Sequence, residues 1–389
     1  MKAAIVSTLG EWGGGTDPLE KSWIAHGAAM LATLGGDLFE TRHTTLAALV
    51  EELRTYDLIG VSATSATYPV AREVLEAIRG FRARRVVGGV HASLRPEDYA
   101  GLADHVVQGH GEPAWSLLLE GCDLPAVSWY DVEDLDRLPF IERRRWRDET
   151  QWLDLPGPYA TFVAARGCPY RCTFCWPAEE IHFGKRLRRR SAENLVAELA
   201  RVKRDLGIQA AQIHDDTFTY DRKWVDRFIE LAAPLGLQFF IGTRADHVCE
   251  WPEMYARLRE VGVRVVSVGF ESGNQRMLDL MRKGTTVAQN IEAGDILHGL
   301  GLRVFANYMF GLPGETPAEM LDTVNMIRRI RPEYHSTSIF SPYPGSYLGE
   351  EVRKQGQLQS AVWRRDPSRA YLKEQDLHTI QTMMAMGRM

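Results

Sequence analysis

Gly167-Cys168-Pro169-Tyr170-Arg171-Cys172-Thr173-Phe174-Cys175-Trp176 decides the reading of this chain. Three of the five cysteines lie within these ten residues, spaced C-x3-C-x2-C. Three thiolates on one short loop can ligate three irons of a cubane cluster and leave the fourth iron open to a ligand. An open iron suits catalysis, whereas a pure electron carrier closes all four. Arg166 and Arg171 flank the loop and would favour thiolate over thiol. Structural zinc normally takes a second ligand pair elsewhere. Cys122, Cys249 and His182 are the available fourth ligands, and none is paired or suitably spaced. A ferredoxin-type carrier would likewise need a fourth cysteine. An odd, sparse cysteine count in a chain of 389 residues argues against a disulfide framework.

Working outward from the loop, Tyr159–Ala164 reads as the strand that feeds it. Alternating units follow, with strands at Gln209–His214, Gln238–Gly242, Val263–Phe270, Leu302–Phe310 and Ser336–Phe340. Helices at Asn194–Leu206, Trp224–Leu235, Asn290–Leu300 and Pro317–Ile330 lie between them. Leu195, Leu199, Val202 and Leu206 make one apolar face, and Gly207 is a stop signal. This makes about six βα units, enough for a partial barrel and too few for a closed eight-fold one.

Upstream, strands at Ala3–Ser7, Leu58–Ser62 and Val86–Val87 alternate with helical patterns at Ser22–Leu34, Leu46–Thr55 and Val70–Phe81. That alternation implies a doubly wound parallel sheet, which binds ligands beyond the carboxyl ends of its strands. Those ends are rich in small and polar residues: Ser62-Ala63-Thr64-Ser65, Gly88-Gly89-Val90-His91 and Gly109-His110-Gly111-Glu112. Between Asp131 and Gly157 the pattern breaks, through Arg143-Arg144-Arg145 and Pro156. The expected organisation is an α/β chain with a first domain over 1–140, a linker over 141–157, a partial barrel over 158–345 and an extension over 346–389.

The net charge of −5 provides no global basic field to draw the protein to nucleic acid or anionic lipid. The apolar run after Met1 is too short for a signal peptide, and no stretch approaches the ~20 apolar residues of a membrane span. A cytoplasmic protein that contacts neither membrane nor nucleic acid is expected.

The cysteine loop at the end of a first strand, with Phe174 before its last cysteine, resembles the radical S-adenosylmethionine superfamily. Later strand ends match too: Asp215-Asp216-Thr217-Phe218, Gly242-Thr243-Arg244-Ala245-Asp246, Gly269-Phe270-Glu271-Ser272-Gly273 and Met309 to Thr316, as does Arg189 to Asn194. The resemblance implies a 4Fe-4S cluster on Cys168, Cys172 and Cys175, whose open iron binds S-adenosylmethionine. One electron then cleaves a carbon–sulfur bond to give a 5′-deoxyadenosyl radical. By position, Glu271 and Ser272 would contact ribose or methionine, and Arg244 the methionine carboxylate. Phe310, Gly311 and Leu312 would pass along the adenine, with Phe174 packed against it. An electron donor such as flavodoxin or ferredoxin is implied as a partner.

The N-terminal half resembles the cobalamin-binding domain that precedes the barrel in one large radical subfamily. The resemblance rests on the three strand-end blocks, on Ala92 to Glu97 and on Leu135 to Phe140. It implies cobalamin as a cofactor, with Ser62, Thr64, Gly88, Gly89 and His91 lining the pocket. Gly10-Glu11-Trp12-Gly13-Gly14-Gly15 follows the first strand where classical cobalamin proteins place an axial-histidine loop. His91 is therefore read as a pocket or turn residue, and a fold retained without its cofactor stays open. Cobalamin beside a radical cluster implies C-methylation of an unactivated carbon, by way of the 5′-deoxyadenosyl radical and methylcobalamin. The rival is a radical cyclase or rearrangement enzyme without net methyl transfer. The small-molecule substrate is of unspecified class.

Other features point less sharply. Lys185 to Arg190 reads as a solvated basic face or a grip on an anion. Asp215-Asp216 reads as strand-end polar groups, or as a metal pair or base. Tyr343, Tyr347 and Trp363 line a substrate mouth or pack the core. Cys122 and Cys249 read as structural.

Overall fold

The computed structural model describes residues 1–8, 25–143, 153–184, 186–359 and 369–387. The chain forms two compact units. One comprises Met1–Asp148 and Ala178–Arg189, the other Glu149–Pro177 and Arg190–Met389. Residues 178–189, read in the sequence as part of the barrel, thus group with the first unit.

In the first unit the described strands are β1 (Ala3–Ser7), β2 (Asp37–Glu40), β3 (Leu58–Ser62), β4 (Arg84–Gly88), β5 (His105–Gly109) and β6 (Val127–Tyr130). They form one parallel sheet in the order β2-β1-β3-β4-β5-β6. Successive side chains of a strand face opposite sides. Ala4, Val6, Ile59, Val61 and Val87 enter one apolar cluster, while Ala3, Ile5, Leu58 and Val86 enter another. A sheet apolar on both faces must be covered by helices on both, which is the doubly wound arrangement expected. β2 and β6 were not apparent in the sequence. Both are edge strands; β2 is only four residues long, and β6 alternates exposed and half-buried positions, so neither carries a long apolar run. The Gly10–Gly15 stretch and the start of the helix read from Ser22 lie outside the described residues; the helix is seen at His26–Leu34.

The second unit contains β7 (Tyr159–Phe162), β8 (Ala210–Ile213), β9 (Gln238–Thr243), β10 (Val263–Glu271), β11 (Arg303–Phe310) and β12 (Tyr334–Ile339). They pair in parallel, in chain order, as an open partial barrel. The helices between them have the expected terminal chemistry. Ser191 caps Ala192–Leu206 and Gly207 ends it in the left-handed region. Thr316 and Glu319 close a capping box on Pro317–Ile330.

The barrel's two faces differ. Phe162, Ile213, Ile241, Val268, Phe270, Val304 and Phe310 pack outward among the helices. On the other face, Tyr159, Ala210, Phe240, Val265 and Phe305 make an apolar floor near the amino ends of the strands. Leu153 and Leu155, from the segment read as linker, complete that floor. Above it the same face carries Gln212, Ser267 and Asn307, with an Asn307 amide to Ser267 hydroxyl bond of 2.9 Å. The interior of a sealed barrel would continue apolar. This one turns polar toward the carboxyl ends, where a ligand would enter. Residues 144–152 and Trp363 lie outside the described set.

Candidate functional site: two sets of strand ends

The cysteine loop leaves β7 and is braced from several sides. Asp215, at the end of β8, accepts from the backbone N–H groups of Ala164 and Ala165 at 2.7 and 2.8 Å. Of the roles open for Asp215, the structure shows the strand-end brace. The N–H groups of Cys175 and Trp176 both donate to the Cys172 carbonyl, at 3.0 and 2.7 Å, folding the loop into a tight turn. Thr173 donates from its backbone to Met281 and from its hydroxyl to Leu280. Tyr347 and Leu348, at the start of the helix Tyr347–Lys354, donate to the carbonyls of Trp176 and Thr173. The extension past residue 345 thus supports the loop.

Cys172 is buried, Cys168 is half-buried and Cys175 is exposed. The Cys168 sulfur lies 3.9 Å from the Thr217 hydroxyl. Among the described residues, no three His, Cys, Asp or Glu side chains are gathered to hold a single metal ion. A cubane makes a different demand, since each of its three thiolates meets its own iron. Soft thiolates on one braced turn suit an iron–sulfur cluster. Cys249 stands apart, its thiol pushed up to about 12 chiefly by burial, and its sulfur 3.4 Å from the Gln289 carbonyl. That environment favours the thiol over the thiolate that a metal takes.

Arg244 directly follows β9 and brings a cation from outside the loop onto Cys172. Its Nη1 reaches toward the Cys172 sulfur at 3.9 Å. Its remaining nitrogens bond Asp246 at 2.9 and 3.0 Å and the Lys283 carbonyl at 2.5 Å. Its guanidinium lies 3.8 Å from the Tyr170 ring centre. Burial alone would lower the pKa of Arg244, but Asp246 outweighs it and raises it. Arg244 therefore places a positive charge beside the Cys172 sulfur, held there by Asp246 and the Lys283 carbonyl. Tyr170 is tied down as well, its hydroxyl 2.5 Å from His247 Nε2, while Nδ1 of the same ring lies 3.0 Å from the Thr219 hydroxyl.

Glu271 ends β10 at a register shift, with φ of +64°. It pairs with Lys283 at 2.9 Å, both side chains buried. Sequence reading missed Lys283, which sits in a helix-end turn with no motif signal. Ser272 is placed differently from its expected role. It is fully buried, and its hydroxyl meets Thr323 at 3.1 Å and accepts from the Asn274 N–H. Phe310 points into the outer core. The N–H groups of Gly311 and Leu312 both donate to Glu315, at 2.6 and 3.1 Å, and Gln375 donates to the Gly311 carbonyl. Backbone contacts there are thus already filled by this chain. Phe174 and Leu312 share one apolar cluster. Tyr347 is exposed, with Arg282 over its ring at 5.0 Å.

In the first unit, strand order reverses between β1 and β3, which opens a crevice at their carboxyl ends. Thr8 follows β1 and donates to the Ser62 carbonyl at 3.0 Å and to Thr67 at 2.8 Å. Thr67 in turn accepts from the Thr64 N–H. Thr64 is exposed and Ser62 half-buried at that rim. Gly89 has φ of +96°, and a Cβ there would stand 2.6 Å from the Ala63 carbonyl oxygen. Its missing side chain therefore serves the crossing of two loops rather than a ligand. His91 is buried, with Nδ1 3.0 Å from the Ser65 hydroxyl and Nε2 3.1 Å from Asp98. Both ring nitrogens are engaged within the chain, as suits the pocket or turn residue expected. Hydroxyls and backbone at a switch-point crevice fit a corrinoid's nucleotide tail. Within the basic run, Arg188 pairs with Asp131 and Arg190 with Glu198; Lys185 lies outside the described residues.

Two family models match this chain: the Radical SAM superfamily over residues 162–327 and the B12 binding domain over 23–119. The chain belongs to the cobalamin-dependent radical S-adenosylmethionine enzymes, whose cofactors are a [4Fe-4S] cluster, S-adenosylmethionine and cobalamin. Over 336 residues it is 26% identical to an uncharacterised methyltransferase of Pyrococcus horikoshii, covering 79% of this chain and 72% of that one. It is also 26% identical to the anaerobic magnesium-protoporphyrin IX monomethyl ester cyclase of Cereibacter sphaeroides, covering 80% of this chain and 56% of the cyclase. The methyltransferase TsrM of Kitasatospora setae, solved with cobalamin and a [4Fe-4S] cluster, superimposes with a TM-score of 0.69 at 17% identity. That match covers 91% of this chain and 78% of TsrM, and it speaks to the fold. No described helix is long and apolar enough to cross a membrane.

Proposed function

We propose that this enzyme methylates an unactivated carbon of a small molecule. The reading is carried by one observation: a braced three-thiol loop and a B12-type sheet stand in the same chain. When bound, the cluster and S-adenosylmethionine supply a 5′-deoxyadenosyl radical, and cobalamin carries the methyl group. The protein's own residues hold and orient. Cys168, Cys172 and Cys175 ligate the cluster, and Arg244 offsets its charge at Cys172. Glu271 receives the ribose hydroxyls, and Phe174 packs against the adenine. Thr64 and Ser62 face the cobalamin tail. Flavodoxin or ferredoxin supplies the electron.

The test is anaerobic incubation of reconstituted protein with S-adenosylmethionine, a low-potential reductant and candidate small-molecule substrates as methyl acceptors. Methyl transfer forms S-adenosylhomocysteine together with 5′-deoxyadenosine. 5′-Deoxyadenosine alone would move the protein to the rearrangement chemistry that its cyclase relative represents.

A further inference from the structure

The Glu271–Lys283 pair is the one buried ion pair of the barrel mouth that the functional reading leaves half explained. Three observations converge on it. The ammonium lies 2.9 Å from Glu271 Oε1, with both residues buried. Gly269, two residues upstream in β10, has no side chain where one would collide: a Cβ there would stand 2.5 Å from Oε1 and 2.8 Å from Nζ. Glu271 occupies a backbone region that non-glycine residues rarely enter, at φ of +64°. A strained carboxylate, a glycine that clears space and a buried cation specify one geometry between them.

Lys283 is itself fixed. Its carbonyl accepts from Arg244 at 2.5 Å, and its ammonium stands 5.9 Å from the Phe174 ring centre. Burial alone would lower its pKa, but Glu271, with Cys172 adding to it, outweighs that and raises it. The pair uses only Oε1; among the described residues, no hydrogen bond to Oε2 accompanies it.

We propose that Lys283 is a positioning residue that pins Glu271 through Oε1 and leaves Oε2 aimed at the ribose hydroxyls of S-adenosylmethionine. It does not touch the nucleoside. The inference rests on the reading of Glu271 as a ribose contact.

The experiment measures anaerobic equilibrium binding to reconstituted, unreduced protein, with S-adenosylmethionine and its 2′,3′-dideoxy analogue as probes. Lys283→Met should weaken S-adenosylmethionine binding roughly ten- to a hundredfold, the range that outer-shell partners carry. The dideoxy analogue, which has no diol to lose, should bind Lys283→Met and the parent alike. E271Q/K283M should bind S-adenosylmethionine as E271Q does, and it leaves no orphaned buried charge should Lys283→Met fail to fold. The proposal is overturned if Lys283→Met binds as the parent, or if it loses both probes equally. It is also overturned if the double variant binds more weakly than E271Q. A parent that binds no S-adenosylmethionine would sink the functional reading itself.

Discussion

The two six-stranded parallel sheets present different chemistry at the same topological place. At the switch point of the first sheet, beyond β1, β3 and β4, stand hydroxyls and glycines: Thr8, Ser62, Thr64, Gly88 and Gly89. Their hydrogen bonds are short-range and neutral. The charged pairs of that sheet lie at its edges, Glu40 with Arg42 beyond β2 and Asp131 with Arg188 beyond β6. The carboxyl ends of the second carry buried or half-buried charge: Asp215, Arg244 with Asp246, and Glu271 with Lys283. Buried charge is costly unless paired, and each of these charges has partners within the chain. The difference sets a rim of hydroxyls and backbone groups against a mouth of paired charges. It also implies that the two sites fail independently when broken.

The largest break is Cys172→Ala. Iron content should fall and cleavage of S-adenosylmethionine should drop to background in an anaerobic assay. Arg244→Ala comes next. It strips the partner from Asp246 and the cation from Cys172, and should cost about 3 kcal/mol of stability by denaturant titration. Retained cobalamin in that variant would keep the comparison intact. In the first sheet, Gly89→Ala must accept both the +96° backbone and the 2.6 Å approach to Ala63. It should destabilise by about 1–3 kcal/mol and release cobalamin while leaving iron content unchanged. Gly269→Ala should cost a similar ~1–3 kcal/mol and wedge the Glu271–Lys283 pair apart, which S-adenosylmethionine binding would register.

The smallest effect concerns His91, whose pKa burial holds below the usual imidazole range despite Asp98. The unfolded chain takes up a proton near pH 6.5 that the folded one refuses, so stability falls as pH drops through that value. His91→Gln should remove this part of the acid sensitivity in melts taken from pH 7.5 to 5.5. It should leave the cobalamin spectrum unchanged; an altered spectrum would make His91 a ligand after all.

Much of this was legible in the sequence, for reasons specific to each feature. Central strands such as Ala3–Ser7 and Leu58–Ser62 are buried on both faces, so their apolar runs mark their ends to the residue. Edge strands lack that signal, and β2 and β6 went unread. The cysteine spacing is local chemistry and announces itself. Lys283 and Thr8 take their contacts from residues distant in the sequence, and no local pattern reports those contacts. Ser272 and Gly311 illustrate the converse. They stand in recognisable blocks, yet the structure engages their polar groups with Thr323, Asn274, Glu315 and Gln375. A motif places a segment at a site without stating which of its atoms face the ligand.

The central claim is that one chain holds two cofactors on two separable sets of strand ends. The most direct test is the anaerobic absorption spectrum of purified, reconstituted parent beside Cys172→Ala. The account expects corrinoid bands in both proteins and the broad iron–sulfur absorption in the parent alone. A parent without corrinoid bands, or a Cys172→Ala protein that keeps its cluster absorption, would contradict it.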